Sequence, residues 1–150
     1  MKKQSKKIAD ILLLLCPFWI TWTPSLGLAY IYAYLESKGK TAKILDINAK
    51  MFHKAGAEDR TVWQKVTSDV YRSSKLSQNI LAGKNFSQYI EFYAKKIIAS
   101  KIKVIGFSVN ICNVFFSLEL ARQIKNKDQS RVIIFGGPLV NLLTPGNAGI

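Results

Sequence analysis

The chain has 150 residues, 49% of them hydrophobic and 21% charged, with a formal net charge of +13. That length and apolar content give one domain with a core of its own and exclude wholesale disorder. The positive balance raises nucleic acid, an anionic membrane surface, or a lysine-rich composition with no function attached. Apart from Lys2-Lys3 and Lys6-Lys7 the basic residues are spread along the sequence. There is no Arg-rich stripe and no aromatic-plus-basic module, which disfavours nucleic acid.

Residues 1–7 read as a solvated basic head. The apolar run behind them is not expected to be a signal peptide: Asp10 interrupts it, Pro17 breaks it, and no small-x-small cleavage site follows. A bulky Leu15 stands before Cys16 where a lipoprotein site needs a small residue, and the run is too short to span a bilayer. Ile8 to Cys16 is therefore expected as the first buried strand. Cys16 and Cys112 fit neither zinc-finger nor C-x-x-C spacing, and each ends an apolar run, so both read as buried free thiols in a cytoplasmic protein.

The aromatic loop from Pro17 to Pro24 leads to a helix that Ser25 is placed to cap. Leu28, Ile31, Tyr32 and Leu35 recur at i, i+3, i+4 and i+7 and give it one apolar face, and Gly39 stops it. Ala42 to Ile47 is the second strand, completing a β-α-β unit. Residues 49 to about 100 are least readable: Thr61 to Leu76 reads as a helix, Gly83-Lys84-Asn85 as a break, and Ser87 to Ser100 as the crossover helix. His53, the sole histidine, has no patterned partner and reads as a surface side chain rather than a metal ligand.

Val104-Ile105-Gly106-Phe107 begins the third strand, a β-branched and aromatic run suited to a parallel sheet covered on both faces. It turns polar at Ser108, Asn110 and Asn113, then enters a helix lined by Phe116, Leu120, Ala121 and Ile124, with Lys125 and Lys127 favouring its C-terminal end. Asp128-Gln129-Ser130 turns the chain into a fourth strand, Val132 to Phe135. Gly136-Gly137-Pro138 follows, a turn where backbone can approach a ligand closely. This alternation predicts an α/β fold with a doubly wound parallel sheet, whose ligands bind at the carboxyl ends of the strands.

Nucleotide binding finds little support in these loops. A dinucleotide needs G-x-G-x-x-G after the first strand, but Cys16 to Pro24 contains no glycine; no P-loop exists, and Asp46 alone is a weak ribose signal. Hydrolysis lacks a G-x-S-x-G elbow, a triad context and a carboxylate pair. No catalytic residue and no protein metal ligand is assigned. Apolar, aromatic, hydroxyl- and amide-bearing loops suit a large, mostly neutral ligand held by shape and a few hydrogen bonds.

Several stretches resemble one family. Pro24-Ser25-Leu26-Gly27-Leu28-Ala29-Tyr30, Ala33 to Gly39 and Ile44-Leu45-Asp46-Ile47-Asn48, followed in order by Ile105-Gly106-Phe107-Ser108-Val109, Phe116 to Ala121 and Val132 to Pro138, are similar to the N-terminal cobalamin-binding domain of cobalamin-dependent radical S-adenosylmethionine enzymes. The resemblance covers most of residues 8–138, interrupted by a helical insertion at about 49–86, with 139–150 as a short tail. It implies a flavodoxin-like (Rossmann-like) domain with cobalamin over the strand ends. By position, contacts are implied from Pro24, Ser25 and Gly27; from Ser108, Val109, Asn113, Phe116 and Ser117; and from Gly136, Gly137 and Pro138.

In this family the corrin usually takes no histidine from the protein, and accordingly no D-x-H-x-x-G occurs here. Two departures stand out. Four strands are legible and the family's fifth is missing. The C-x-x-x-C-x-x-C site of the radical domain is also absent, and two isolated cysteines cannot hold an iron–sulfur cluster. The expectation is a cobalamin-binding module working with a separately encoded radical S-adenosylmethionine domain, with catalysis by this chain alone not expected. The competing readings are a degenerate or structural α/β fragment, and a basic protein binding nucleic acid or an anionic surface.

Overall fold

The computed structural model describes residues 8–68 and 84–143. Within them, β1 (Ile11–Leu15), β2 (Ala42–Asp46), β3 (Val104–Ser108) and β4 (Val132–Gly136) form one parallel sheet in the order β2-β1-β3-β4. The described helices are α1 (Leu26–Ser37), α2 (Ile47–Lys54), α3 (Ala57–Ser68), α4 (Lys84–Ala99), α5 (Val114–Lys127) and α6 (Pro138–Leu143). The winding reverses at β1: β2 lies on one side of it, β3 and β4 on the other. Right-handed crossovers then send α1 to one face of the sheet and α4 and α5 to the other. The fold is the expected flavodoxin-like α/β sheet, doubly wound, with four strands among the described residues.

The two faces are covered unequally. Leu12 and Leu14 of β1 and Ile105 and Phe107 of β3 join Ile90, Tyr93, Ala94 and Ile97 of α4 and Phe116, Leu120 and Ile124 of α5 in one continuous core. Each fully buried side chain of this size contributes about 1.5–3 kcal/mol by leaving water. On the opposite face Leu13 and Leu15 pack on Leu28 of α1, with Tyr32 and Leu35 partly buried beside them. The register aligns Ile44, Leu13, Gly106 and Ile134 in one cross-strand row, and Ala42, Ile11, Val104 and Val132 in the next. α1 lies over the β1–β2 half, so Val132 and Ile134 of β4 remain 51% exposed. Strand burial on both faces thus holds for β1 and not for β4.

Element boundaries moved where side chains compete with the ladder. β1 starts at Ile11 rather than Ile8, because Asp10 and Ile11 N–H both donate to the Thr41 carbonyl while the Asp10 carboxylate accepts from the Thr41 N–H and hydroxyl. β2 stops at Asp46, whose Oδ1 accepts from Ala49 N–H at 2.7 Å and caps α2 directly. The sequence reading gave no helix at α2. The helix expected from Thr61 begins earlier, at Ala57, and the part beyond Ser68 lies outside the described residues, as does Gly83 of the expected break. Lys84 and Asn85 instead open α4. Gly39 ends α1 as expected, at φ +70°, with Gly39 N–H donating to Glu36 and Lys40 N–H to Leu35.

Candidate functional site

Three connections meet at the carboxyl ends of the strands. The first, from β1 to α1, is anchored inward. Phe18 is fully buried, edge-on to Trp63 at 4.8 Å and tilted against Phe86 at 5.6 Å. Asn48, itself buried, accepts at Oδ1 from the Trp19 N–H (2.9 Å) and the Trp63 indole N–H (2.7 Å), and its Nδ2 donates to the Trp19 carbonyl at 3.2 Å. One amide therefore fixes the loop to both α2 and α3. The loop ends at Ser25, whose hydroxyl accepts from Leu28 N–H at 3.4 Å as the expected cap of α1.

The second connection, from β3 to α5, is a closed hydrogen-bonded turn. Asn110 Oδ1 accepts from the N–H groups of Cys112 and Asn113 at 2.8 and 3.2 Å. Asn113 reciprocates, its Oδ1 accepting from Asn110 N–H at 2.8 Å and its Nδ2 donating to the Ser108 carbonyl at 3.0 Å. Ser117 donates from its hydroxyl to the Asn113 carbonyl at 2.8 Å. The third connection, Gly137, lies against the second: Val109 N–H donates to the Gly136 carbonyl at 2.7 Å, and Gly137 adopts φ +107°.

Between α1 and the β3–β4 half of the sheet these connections leave a groove of about 290 Å³. Leu28, Ile31 and Leu35 form the α1 wall, Leu13 and Gly106 the floor, and Ile134 the far wall; Gly27, Ser108, Gly136 and Pro138 surround the mouth. Gly106 gives the groove its depth. A Cβ there would meet only the tip of Leu13 at 3.2 Å and the Leu12 carbonyl at 4.0 Å, and one at Gly27 or Gly136 would meet nothing within 4 Å. These positions open onto space rather than onto packed neighbours.

The mouth carries almost no charge. Residues 16–25, 109–113 and 136–138 include no Asp, Glu, Lys, Arg or His. Burial pushes the Cys16 thiol up to about 12, with Ser117 acting in the lowering direction, so this sulfur stays protonated and unreactive. Cys16 and Cys112 are both buried and neither forms a disulfide, as read from the sequence. His53 is exposed in the last turn of α2. Among the described residues no three His, Cys, Asp or Glu side chains are grouped to hold a metal ion.

Of the residues singled out in the sequence, Gly27, Ser108, Gly136, Gly137 and Pro138 come together around this one groove, with Pro24 and Ser25 at the adjoining start of α1. Val109, Asn113, Phe116 and Ser117 are buried and do not line it; Val109 and Phe116 belong to the core on the other face of the sheet, and the Asn113 and Ser117 side chains are committed to the turn. They shape the support of the groove rather than its lining. Gly106, Ile134 and Asn48 were not singled out. A glycine inside a β-branched strand is itself a signal of close approach. Ile134 and Asn48 carry no such local mark.

No family model matches the chain, and neither does any curated protein or solved structure. Among the described residues no helix is long and apolar enough to cross a membrane.

Proposed function

We propose that the domain is a cobalamin-binding module of the kind that precedes the catalytic half of cobalamin-dependent radical S-adenosylmethionine enzymes. The observation that carries this reading is the groove: residues of three separate motifs, Gly27, Ser108 and Gly136 to Pro138, converge on one apolar recess at the strand ends. Its volume lies at the small end of ligand pockets, which run from roughly 300 to 1,000 Å³. It therefore takes a flat part of a large cofactor, with the bulk of the macrocycle over the uncharged strand ends. Glycines at the mouth and floor let such a ligand lie against backbone.

Cobalamin would bring the cobalt chemistry of methyl transfer or rearrangement; the residues of this chain bind, orient and shield it. They supply no charged acid or base at the mouth, so the reaction would be carried by a radical domain that this module serves. The test is incubation of the purified chain with hydroxocobalamin followed by desalting. Retained corrin absorbance in stoichiometric amount is expected, and a colourless protein fraction overturns the reading.

A further inference from the structure

The lysines that look dispersed in the sequence are sorted by the topology. In a parallel sheet every helix-to-strand connection lies at the amino ends of the strands, opposite the groove mouth. Lys38 and Lys40 precede β2, Lys101 and Lys103 precede β3, and Lys125 and Lys127 close α5 before β4. All six are exposed. The acids beside them are Asp10, Glu36, Asp128 and Glu91, the last within electrostatic reach of Lys127; Asp128 is paired with Arg131 at 2.6 Å and Glu91 with Lys95 at 2.8 Å. One rim of the molecule is therefore basic, while the turns that border the groove carry no charged side chain; at that end of the sheet Lys50 and Lys54 lie on α2.

Lys101 is the second residue past the end of α4 and has φ +61°, the left-handed conformation that Gly39 adopts two residues past α1, a position where glycine or asparagine is the easier residue.

We propose that this rim is an electrostatic docking face for an anionic lipid surface, held by charge alone and leaving the groove pointing away from the bilayer. The chemistry of the rim favours a lipid surface over nucleic acid. Its single arginine, Arg131, is buried, its guanidinium donating to the Ile98 and Ile102 carbonyls and to Asp128, so no exposed fork is offered to a phosphate. Residues 8–10, 38–41, 100–103 and 128–131 contain no aromatic side chain on which a base could stack. What remains is a set of lysine ammonium groups, which suits a diffuse negative surface potential.

The experiment is co-sedimentation of the full chain with vesicles containing about one-third phosphatidylglycerol in phosphatidylcholine, at about 0.1 M salt. Binding to these vesicles is expected, with none to pure phosphatidylcholine and release at about 0.5 M salt. Lys101→Gln with Lys103→Gln is expected to weaken partitioning by about twenty-five-fold, as each lysine near a surface is worth about fivefold. Lys50→Gln with Lys54→Gln removes the same charge from α2, on the side of the groove mouth, and is expected to change partitioning much less. Both pairs leave residues 2–7 intact, so the comparison reports on the rim and not on the basic head. Absence of binding, equal binding to neutral vesicles, or equal loss in the two pairs overturns the proposal. So does tighter binding to duplex DNA than to the anionic vesicles at the same salt.

Discussion

A Cβ placed on Gly137 would sit 2.6 Å from the carbonyl oxygen of Val109 and 2.9 Å from its nitrogen. The turn after β4 is thus pressed directly onto the turn after β3, backbone on backbone, and this contact closes one end of the groove. Gly137→Ala must both adopt φ +107° and push Val109 aside, so a loss of about 2–4 kcal/mol is expected. Gly39→Ala separates the two effects: Gly39 has φ +70° but open space around it, and about 1 kcal/mol is expected there. Urea midpoints of the two variants check this. Equal losses would remove the clash from the explanation.

Asn48 joins the first loop to two helices. Asn48→Ala strips the shared acceptor from the part-buried Trp19 N–H and the buried Trp63 indole N–H, for a loss of about 2–4 kcal/mol. Trp63 fluorescence is expected to shift to longer wavelength as its indole gains water. Wild-type stability with an unchanged spectrum would show that the loop is held by Phe18 alone.

The acid end of the pH profile has an identifiable contributor. The Ser130 hydroxyl and then Arg131 hold the Asp128 carboxyl at about 2, well below its ordinary value near 4. A group depressed in the folded state stabilises above its unfolded value and loses that contribution as pH falls through the folded one. Stability should therefore decline between about pH 4 and pH 2. Asp128→Asn should flatten that segment of the curve, measured by thermal melts across the range. An unchanged slope would assign the decline to other carboxylates.

Gly106 is the place to test the groove without touching its mouth. Gly106→Val adds an isopropyl group to the floor, its Cβ meeting the flexible tip of Leu13 and, at 4.0 Å, the Leu12 carbonyl, and is expected to leave the fold intact. Hydroxocobalamin retention should fall at least tenfold, or about 1.4 kcal/mol. Full retention by a folded Gly106→Val protein would place the cofactor elsewhere.

Strand positions and the caps at Ser25 and Gly39 were legible because each rests on local chemistry: β-branched runs, a hydroxyl before a helix, a glycine after one. Asp46 was legible as a strand-end carboxylate but not as the cap of α2, because its acceptor role depends on the chain turning helical at once. The groove was half legible. Its mouth residues form sequence motifs, whereas Ile31 and Ile134 reach it only through the register that sets Ile134 beside Gly106 and the placement of α1 over β1. The burial of Asn113 and Ser117 was hidden for a related reason. Polar side chains in a loop look available to a ligand until the turn consumes their hydrogen bonds.

The pairing of Ile11 with Val104 also bears on when the groove appears during folding. β1, α1 and β2 are neighbours in sequence and can associate early, as can β3, α5 and β4. Joining β1 to β3 closes a loop spanning more than half the chain, and such non-local pairing is slow. The groove has one wall in each half, α1 in the first and β4 in the second. It therefore exists only after the two halves have docked, and a ligand that fills it acts on the last step of assembly. Pulse-labelled hydrogen exchange should show β3 amides facing β1 protected after those within the β3–β4 ladder; simultaneous protection would mean that the sheet forms as a single unit.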